Sequence, residues 1–278
     1  MNELVTKPIV VAIAATEINS EALLDWAEQN GLADVADSDG TPLNRIFRDM
    51  DDGVSHLDLL SEFSGRHCYR SWSKGRGLND YFDNILGHGH GSVLEHSSIT
   101  FAISGVSRSL THELIRHRAG FSPSQESQRY VSADDINFVI PPLLLEMVDG
   151  DVNSSEVQDW YQRQLQALES YREDFNIYSD YLESVGVTGT MLKKRAAESA
   201  RASLPNASET RLVWTGNMRA FRHLCELRGD EHADLEIRRL AVVLTETMME
   251  EAPVTFRDFA IQSGTYGVDQ VEAKMRKV

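Results

Sequence analysis

Between residues 97 and 118 the hydrophobic period of this chain changes once, from two to the three-and-four spacing of a helix. In "SSITFAISGVS" (97–107), Ile99, Phe101 and Ile103 alternate with other residues and share one face of an extended strand. In "RSLTHELIRHR" (108–118), Leu110, Leu114 and His117 follow a buried helical stripe, and Ser107 stands where its hydroxyl can cap the first turn. Gly120 and Pro123 then break the helix. Residues 116–131, "RHRAGFSPSQESQRYV", therefore read as a loop leaving a helix C-terminus, where cations suit the helix dipole.

The same reasoning extends along the chain. "PIVVAIAAT" (8–16) suits a buried strand, "EALLDWAEQNG" (21–31) a short helix closed by Gly31, and "GTPLNRIFRDMDDG" (40–53) a turn followed by a helix. Residues 154–186 form a long amphipathic helix, and 189–205 another that Pro205 terminates. "TRLVWTG" (210–216) alternates as a strand, and 217–251 reads as two helices hinged at Gly229. Leu224, Leu227, Ile237 and Leu240 are helical core positions there. The expected class is α/β to α+β, with a mixed sheet and long helices, in one interwoven domain over 1–278.

Composition removes several functions. With 278 residues, 41% hydrophobic and 25% charged, the chain can bury a sizeable core. A formal net charge of -16 opposes wrapping nucleic acid, which needs a broad basic surface. The apolar run "IVVAIAA" (9–15) is too short to span a bilayer and follows no basic stretch, so a cytoplasmic protein without a membrane role is expected. Cys68 and Cys225 make neither a disulfide framework nor a zinc site, and packed thiols are the simpler reading. His96 and His112 read as structural histidines.

Against this acidic background, Arg116, Arg118, Arg129, Arg201, Arg211, Arg219 and Arg228 fall near the ends of these elements. If the loop, the "SLPN" turn and the "LRGDEH" hinge converge, their guanidinium forks build a pocket suited to phosphate oxygens. Residue types and spacing lead no further.

The order of seven motifs does. These are "CYRSWSK" (68–74), "GHGSVLEH" (89–96), "SRSLTHELIRHR" (107–118), "SQESQRYV" (124–131), "LPNASETR" (204–211), "TGNMRAFRHL" (215–224) and "LRGDEHADLEIRRL" (227–240). Together they resemble the flavin-dependent thymidylate synthase family over about residues 62–259. The resemblance implies a homotetramer of α/β subunits with shared active sites, FAD as cofactor, and methylenetetrahydrofolate and NADPH as co-substrates. It implies dUMP as the nucleotide that receives the methyl group. On matching positions it places His90, Ser92, Arg116, His117, Arg118, Asn217, Arg219, His223 and His232 around the flavin. Glu113, Gln125, Ser127, Arg129 and Arg201 fall on the nucleotide's sugar and phosphate, Arg228 beside the pyrimidine as the catalytic residue, and Tyr69 near flavin or folate.

Two departures stand out. Eight residues, Ala119 to Glu126, separate Arg118 from Ser127, one more than the family's usual spacing, which predicts a bulge near Gly120. Glu126 stands where relatives often carry an apolar residue, and a carboxylate beside the sugar suits a ribose 2'-hydroxyl, so UMP is the alternative substrate. Readings of other classes are a metal-dependent hydrolase built on His88, His90, His96 and "EHADLE" (231–236), and a non-catalytic nucleotide-binding protein.

Overall fold

The computed structural model describes residues 2–73, 75–133 and 136–275; Lys74, the last residue of "CYRSWSK", lies outside them. In chain order the elements are β1 (Leu4–Val5), β2 (Ile9–Ala15), α1 (Ser20–Gln29), α2 (Ala33–Asp37), α3 (Pro42–Asp51), α4 (His56–Tyr69) and α5 (Leu78–Gly87). After a 3-10 turn at Gly91–Glu95 come β3 (Ser98–Ser107), α6 (Arg108–Leu114), β4 (Phe121–Gln125), β5 (Phe138–Val139), α7 (Pro142–Met147), α8 (Ser155–Ser184) and α9 (Gly189–Ala200). A second 3-10 turn, Arg201–Ser203, leads to β6 (Glu209–Asn217), α10 (Met218–Arg228), α11 (Leu235–Glu251), β7 (Phe259–Gln262) and β8 (Gln270–Ala273).

The main sheet has the order β2-β3-β6-β4 and every pairing in it is antiparallel. This corrects the expected mixed sheet; the parallel contact is confined to the short β1–β5 pair. Alternation decides the packing. Ile99, Phe101 and Ile103 of β3, with Leu212 and Trp214 of β6, point to one face and are at most 4% exposed. There they meet Phe82, Ile85 and Leu86 of α5, Leu110 and Leu114 of α6, Phe221 and Leu224 of α10, and Leu240 and Leu244 of α11. Burial of such side chains stabilises by about 1.5–3 kcal/mol each. Helices on one face of an antiparallel sheet make this an α+β arrangement.

The other face explains a second correction. β2 is not buried on both sides: Val10 and Ala12 pack inward, but Ile9, Val11 and Ile13 are 58%, 50% and 53% exposed on an edge strand whose outer face no helix covers among the described residues. A run apolar at every position cannot distinguish the two cases by periodicity.

Several expected helices are found with adjusted ends. α1 closes at Gly31, whose φ of 68° only glycine adopts readily. α8 runs 30 residues, α9 tightens into the Arg201–Ser203 turn before Pro205, and α10 and α11 meet around Gly229. α6, expected to reach Arg118, ends at Leu114, and the chain continues through turn hydrogen bonds from Arg116 N to Glu113 O and His117 N to Leu114 O. The stretch read as a loop contains β4, which tolerates Pro123 because it lies at a sheet edge. Leu227 is 48% exposed rather than core, and Cys68, His96 and His112 are exposed rather than packed. Leu224, Ile237, Leu240 and Cys225 are buried as expected.

β3 reaches α6 through a bulge. Its register with β6 shifts between Ile103 and Val106, and Gly105 sits at φ 71° in the gap. A Cβ there would lie 2.5 Å from the carbonyl oxygen of Lys7. Gly105→Ala is expected to lose about 1–3 kcal/mol and lower the melting temperature, measured by calorimetry or circular dichroism; an unchanged melting temperature would show that the bulge relaxes freely.

Candidate active site

The C-terminal end of α6 and that of α10 meet at Arg228. Its Nε donates to Nε2 of His117 at 2.8 Å, and its Nη1 donates to Oε2 of Glu113 at 2.8 Å. These contacts join residues 111 and 115 positions apart, so they exist only in the folded chain. Because Arg228 can only donate, His117 accepts through Nε2 and is the neutral tautomer with its proton on Nδ1. Burial, then Arg228, then His223 hold its pKa down to about 4. His117 is therefore neutral between its arginine neighbours at neutral pH. Its ring lies 6.4 Å from that of His223 and 6.5 Å from that of Phe121.

Beside this pair opens a cleft of about 400 Å³ lined by Glu95, Ala119, Gly120, Asn217, Arg219, Ala220 and His223. Asn217 caps α10 through a bond from Ala220 N, and its own N–H donates to the carbonyl of Gly120 at 3.1 Å. Gly120 has φ 76°, and a Cβ on it would come within 2.8 Å of both Ala220 Cβ and Asn217 Nδ2. That close approach holds the Arg118–Phe121 turn against the start of α10. β4 pairs with β6 without a register shift, so the bulge expected near Gly120 is a turn ahead of the strand. Arg219 pairs with Glu95 at 2.6 Å, which brings the turn carrying His90 and Ser92 to the edge of the cleft.

The remaining members of the flavin set are exposed. Arg116 and Arg118 follow α6, and among the described residues neither has a carboxylate within ion-pair distance. His90 and Ser92 are exposed, with the His90 ring 5.9 Å from that of His88. His232 lies exposed in the turn between α10 and α11, which Arg238 anchors by donating to the carbonyl of Glu231 at 2.8 Å. Tyr69 ends α4 at 77% exposure. Among the described residues no group of three His, Cys, Asp or Glu side chains is placed to hold a metal ion.

Of the nucleotide set, Glu126 and Ser127 border a cavity near the opposite end of β4. The cavity, of about 280 Å³, is lined by Glu126, Ser127, Gln128 and Arg211, together with Arg108, which the sequence reading passed over. Glu126 lies 3.7 Å from Arg211. Gln125 turns away from a ligand role in the single chain: its Nε2 donates to Thr111 Oγ1 and Thr210 Oγ1, tying α6 to β6. Arg129 pairs with Glu198 at 3.0 Å, a partner with no motif to announce it. Arg201 is exposed on its 3-10 turn, and Glu113 belongs to the Arg228 cluster instead.

Comparison with known proteins agrees with the motif order. A family model described as thymidylate synthase complementing protein matches residues 54–254. The flavin-dependent thymidylate synthase of Mycobacterium leprae is 44% identical over 221 residues, covering 76% of this chain and 83% of that protein. The one from Mycolicibacterium gilvum is 44% identical over 226 residues, covering 80% and 85%. The one from Mycobacteroides abscessus is 39% identical over 270 residues, covering 94% and 93%, well beyond residues 62–259.

The neutral His117 has a measurable signature. The folded chain resists protonating it until pH falls to about 4, whereas the unfolded chain accepts the proton near the ordinary imidazole value of 6.5. Its contribution to stability is thus complete above about pH 6.5 and is lost progressively as pH falls toward about 4. In an NMR titration its ring signals are expected to stay unshifted down to about pH 5, and Arg228→Gln is expected to raise its midpoint. A midpoint between pH 6 and 7 in the unsubstituted protein would contradict the assignment.

Proposed function

The chain belongs to the flavin-dependent thymidylate synthase family, a family of methyltransferases, and from that membership we propose that it methylates carbon-5 of dUMP to give dTMP, with FAD as cofactor and methylenetetrahydrofolate and NADPH as co-substrates. The observation that carries the reading is the grip of Glu113 and His117 on Arg228, beside the cleft that His223 and Arg219 line. The cleft suits a flavin dinucleotide: Gly120 leaves its wall without a side chain, the N-terminus of the 11-residue α10 faces it, and Arg118 directly precedes its Ala119–Gly120 wall in the chain. Bound there, the flavin supplies hydride transfer.

The protein's own residues supply orientation and charge. Nε and Nη1 of Arg228 are engaged, while Nη2 has no partner among the described residues and is free to meet a pyrimidine carbonyl. A guanidinium held in this way stabilises the enolate that develops when carbon-5 becomes nucleophilic. Cys225 is unsuited to activating the ring as a thiolate, because complete burial pushes its thiol up to about 12. His90, Ser92, Asn217, Arg219, His223 and His232 are assigned to the flavin, and Glu113, Gln125, Ser127, Arg129 and Arg201 to the nucleotide, whose site several subunits share.

That sharing fits the exposed stripe of Ile9, Val11, Ile13 and Val213 on the open face of the sheet, which a further subunit would cover in a homotetramer. Residues 1–278 act as one catalytic unit in the cytoplasm, without nucleic-acid or membrane partners. Among the described residues no helix is long and apolar enough to cross a membrane.

A second reading, UMP as acceptor, is favoured by one observation: the Glu126 carboxylate lines the same cavity as Ser127 and is 40% exposed beside Arg211. Purified protein is expected to be yellow, absorbing near about 450 nm, and to oxidise NADPH when dUMP and methylenetetrahydrofolate are supplied. Turnover of UMP equal to or better than that of dUMP would transfer the assignment to the ribonucleotide. A colourless zinc protein would reject the flavoenzyme reading in favour of a hydrolase, and one without NADPH oxidation would reject it in favour of a binding protein. Arg228→Gln is expected to lower kcat by about 10²–10³-fold with flavin content retained, the loss typical of a deleted oxyanion donor; an unchanged kcat would remove Arg228 from the chemistry.

A further inference from the structure

Arg222 of α10 and Arg238 of α11 are both buried, and they fasten the C-terminal chain in different ways. Arg222 has a counter-ion: it donates to both carboxylate oxygens of Asp258, at 2.7 and 3.1 Å, and to the carbonyl of Met275 at 3.1 Å. Arg238 is 0% exposed, and among the described residues no carboxylate lies within ion-pair distance of it. Its guanidinium is held by backbone instead. Nη1 donates to the carbonyl of Glu231 at 2.8 Å, and Nη2 to the carbonyls of Thr265 at 2.5 Å and Val268 at 3.0 Å. A charge taken out of water without a partner charge is costly, and a packed apolar side chain in the same space is often the more stable choice, so stability alone does not account for Arg238.

What the three carbonyls have in common is their place around Arg228. Glu231 lies three residues after it, and Thr265 to Val268 belong to the turn between β7 and β8. That turn is strained, since Tyr266 takes φ 57° ahead of Gly267 at φ 65°, and such a conformation persists only where its surroundings over-determine it. The hairpin also closes directly on the residue that follows Arg228: Val271 N donates to the carbonyl of Gly229 at 2.8 Å, and a Cβ on Gly229 would come within 2.5 Å of Val271 Cβ. We infer that Arg238 is a positioning residue for Arg228, locking the β7–β8 hairpin to the turn after α10 and so fixing where that helix presents its last guanidinium to Glu113 and His117. The consequence for turnover rests on the role of Arg228 proposed above; the consequence for His117 does not.

Because Arg228 touches His117 and holds its pKa down, the titration of His117 reports the position of that guanidinium without any ligand. Arg238→Lys keeps the charge but puts a single ammonium where a planar fork spans three carbonyls. By NMR the variant is expected to show a His117 midpoint above that of the unsubstituted protein, as Arg228 moves away. Its kcat is expected to fall by about 10- to 10²-fold with flavin content retained, the loss that a displacement of about 1 Å can produce. An Arg238 that merely supports the fold would lower the melting temperature and leave the midpoint where it was, and that result would overturn the inference. A midpoint that rises while kcat holds supports the brace and removes Arg228 from the chemistry, so the two readings fail separately. If Arg228→Gln itself does not move the midpoint, the contact is absent and the inference falls with it. Should Arg238→Lys not fold, hydrogen exchange on the unsubstituted full chain decides. The Val271 amide is expected to be protected to within about tenfold of the Gly229 amide, which closes α10 on the carbonyl of Cys225, because one cooperative unit holds both. A Val271 amide that exchanges far faster would show the hairpin opening without the helix end, and would refute the brace.

Discussion

The site depends on a joint where three elements meet. Glu236 of α11 accepts hydrogen bonds from the backbone N–H of Ser107 at 2.8 Å and from its hydroxyl at 2.6 Å. The Ser107 oxygen in turn accepts from Leu110 N and starts α6. A half-buried carboxylate that satisfies two donors is far more directional than apolar packing, so it sets the angle at which the helix leaves the sheet. Gly105 makes the joint possible by bending β3 just before it. From that angle α6 carries Glu113 to Arg228, and Thr111 to Gln125.

α6 and β4 leave and return along the same path, and this sorts the chemistry. β4 spans five residues, roughly 13 Å at the usual strand rise. At one end Phe121 stands beside His117, Gly120 and the start of α10; at the other, Glu126 and Ser127 border the cavity beneath Arg108 and Arg211. The cleft beside Gly120 and the cavity beside Ser127 therefore lie at opposite ends of one rigid strand, which positions them better than a free loop would.

Periodicity made the frame legible. β3, β6, α8, α10 and α11 could be read because alternation or helical spacing runs long enough to outweigh local exceptions. β4 was not, because Gly120 and Pro123 signal a break and its strand character comes from pairing with β6, a contact about ninety residues away. The open face of β2 was hidden for the same reason: Ile9, Val11 and Ile13 look like core until the absence of a covering helix is known. Among site residues, Arg228, Glu113 and His117 were recognisable by their motifs, yet their mutual bonds were not. Glu198, the counter-ion of Arg129, belongs to no motif, and Glu95, although it lies within "GHGSVLEH", is seen to pair with Arg219 only in three dimensions.

A neutral imidazole wedged against a guanidinium also fixes how the crevice responds to its surroundings. Arginine does not lose its proton in a protein, and His117 does not take one up until the pH falls to about 4. His117 thus adds no charge beside Arg228 across ordinary acid–base drift. Whatever acid limb the turnover shows near neutrality must originate in the ligands or in another side chain.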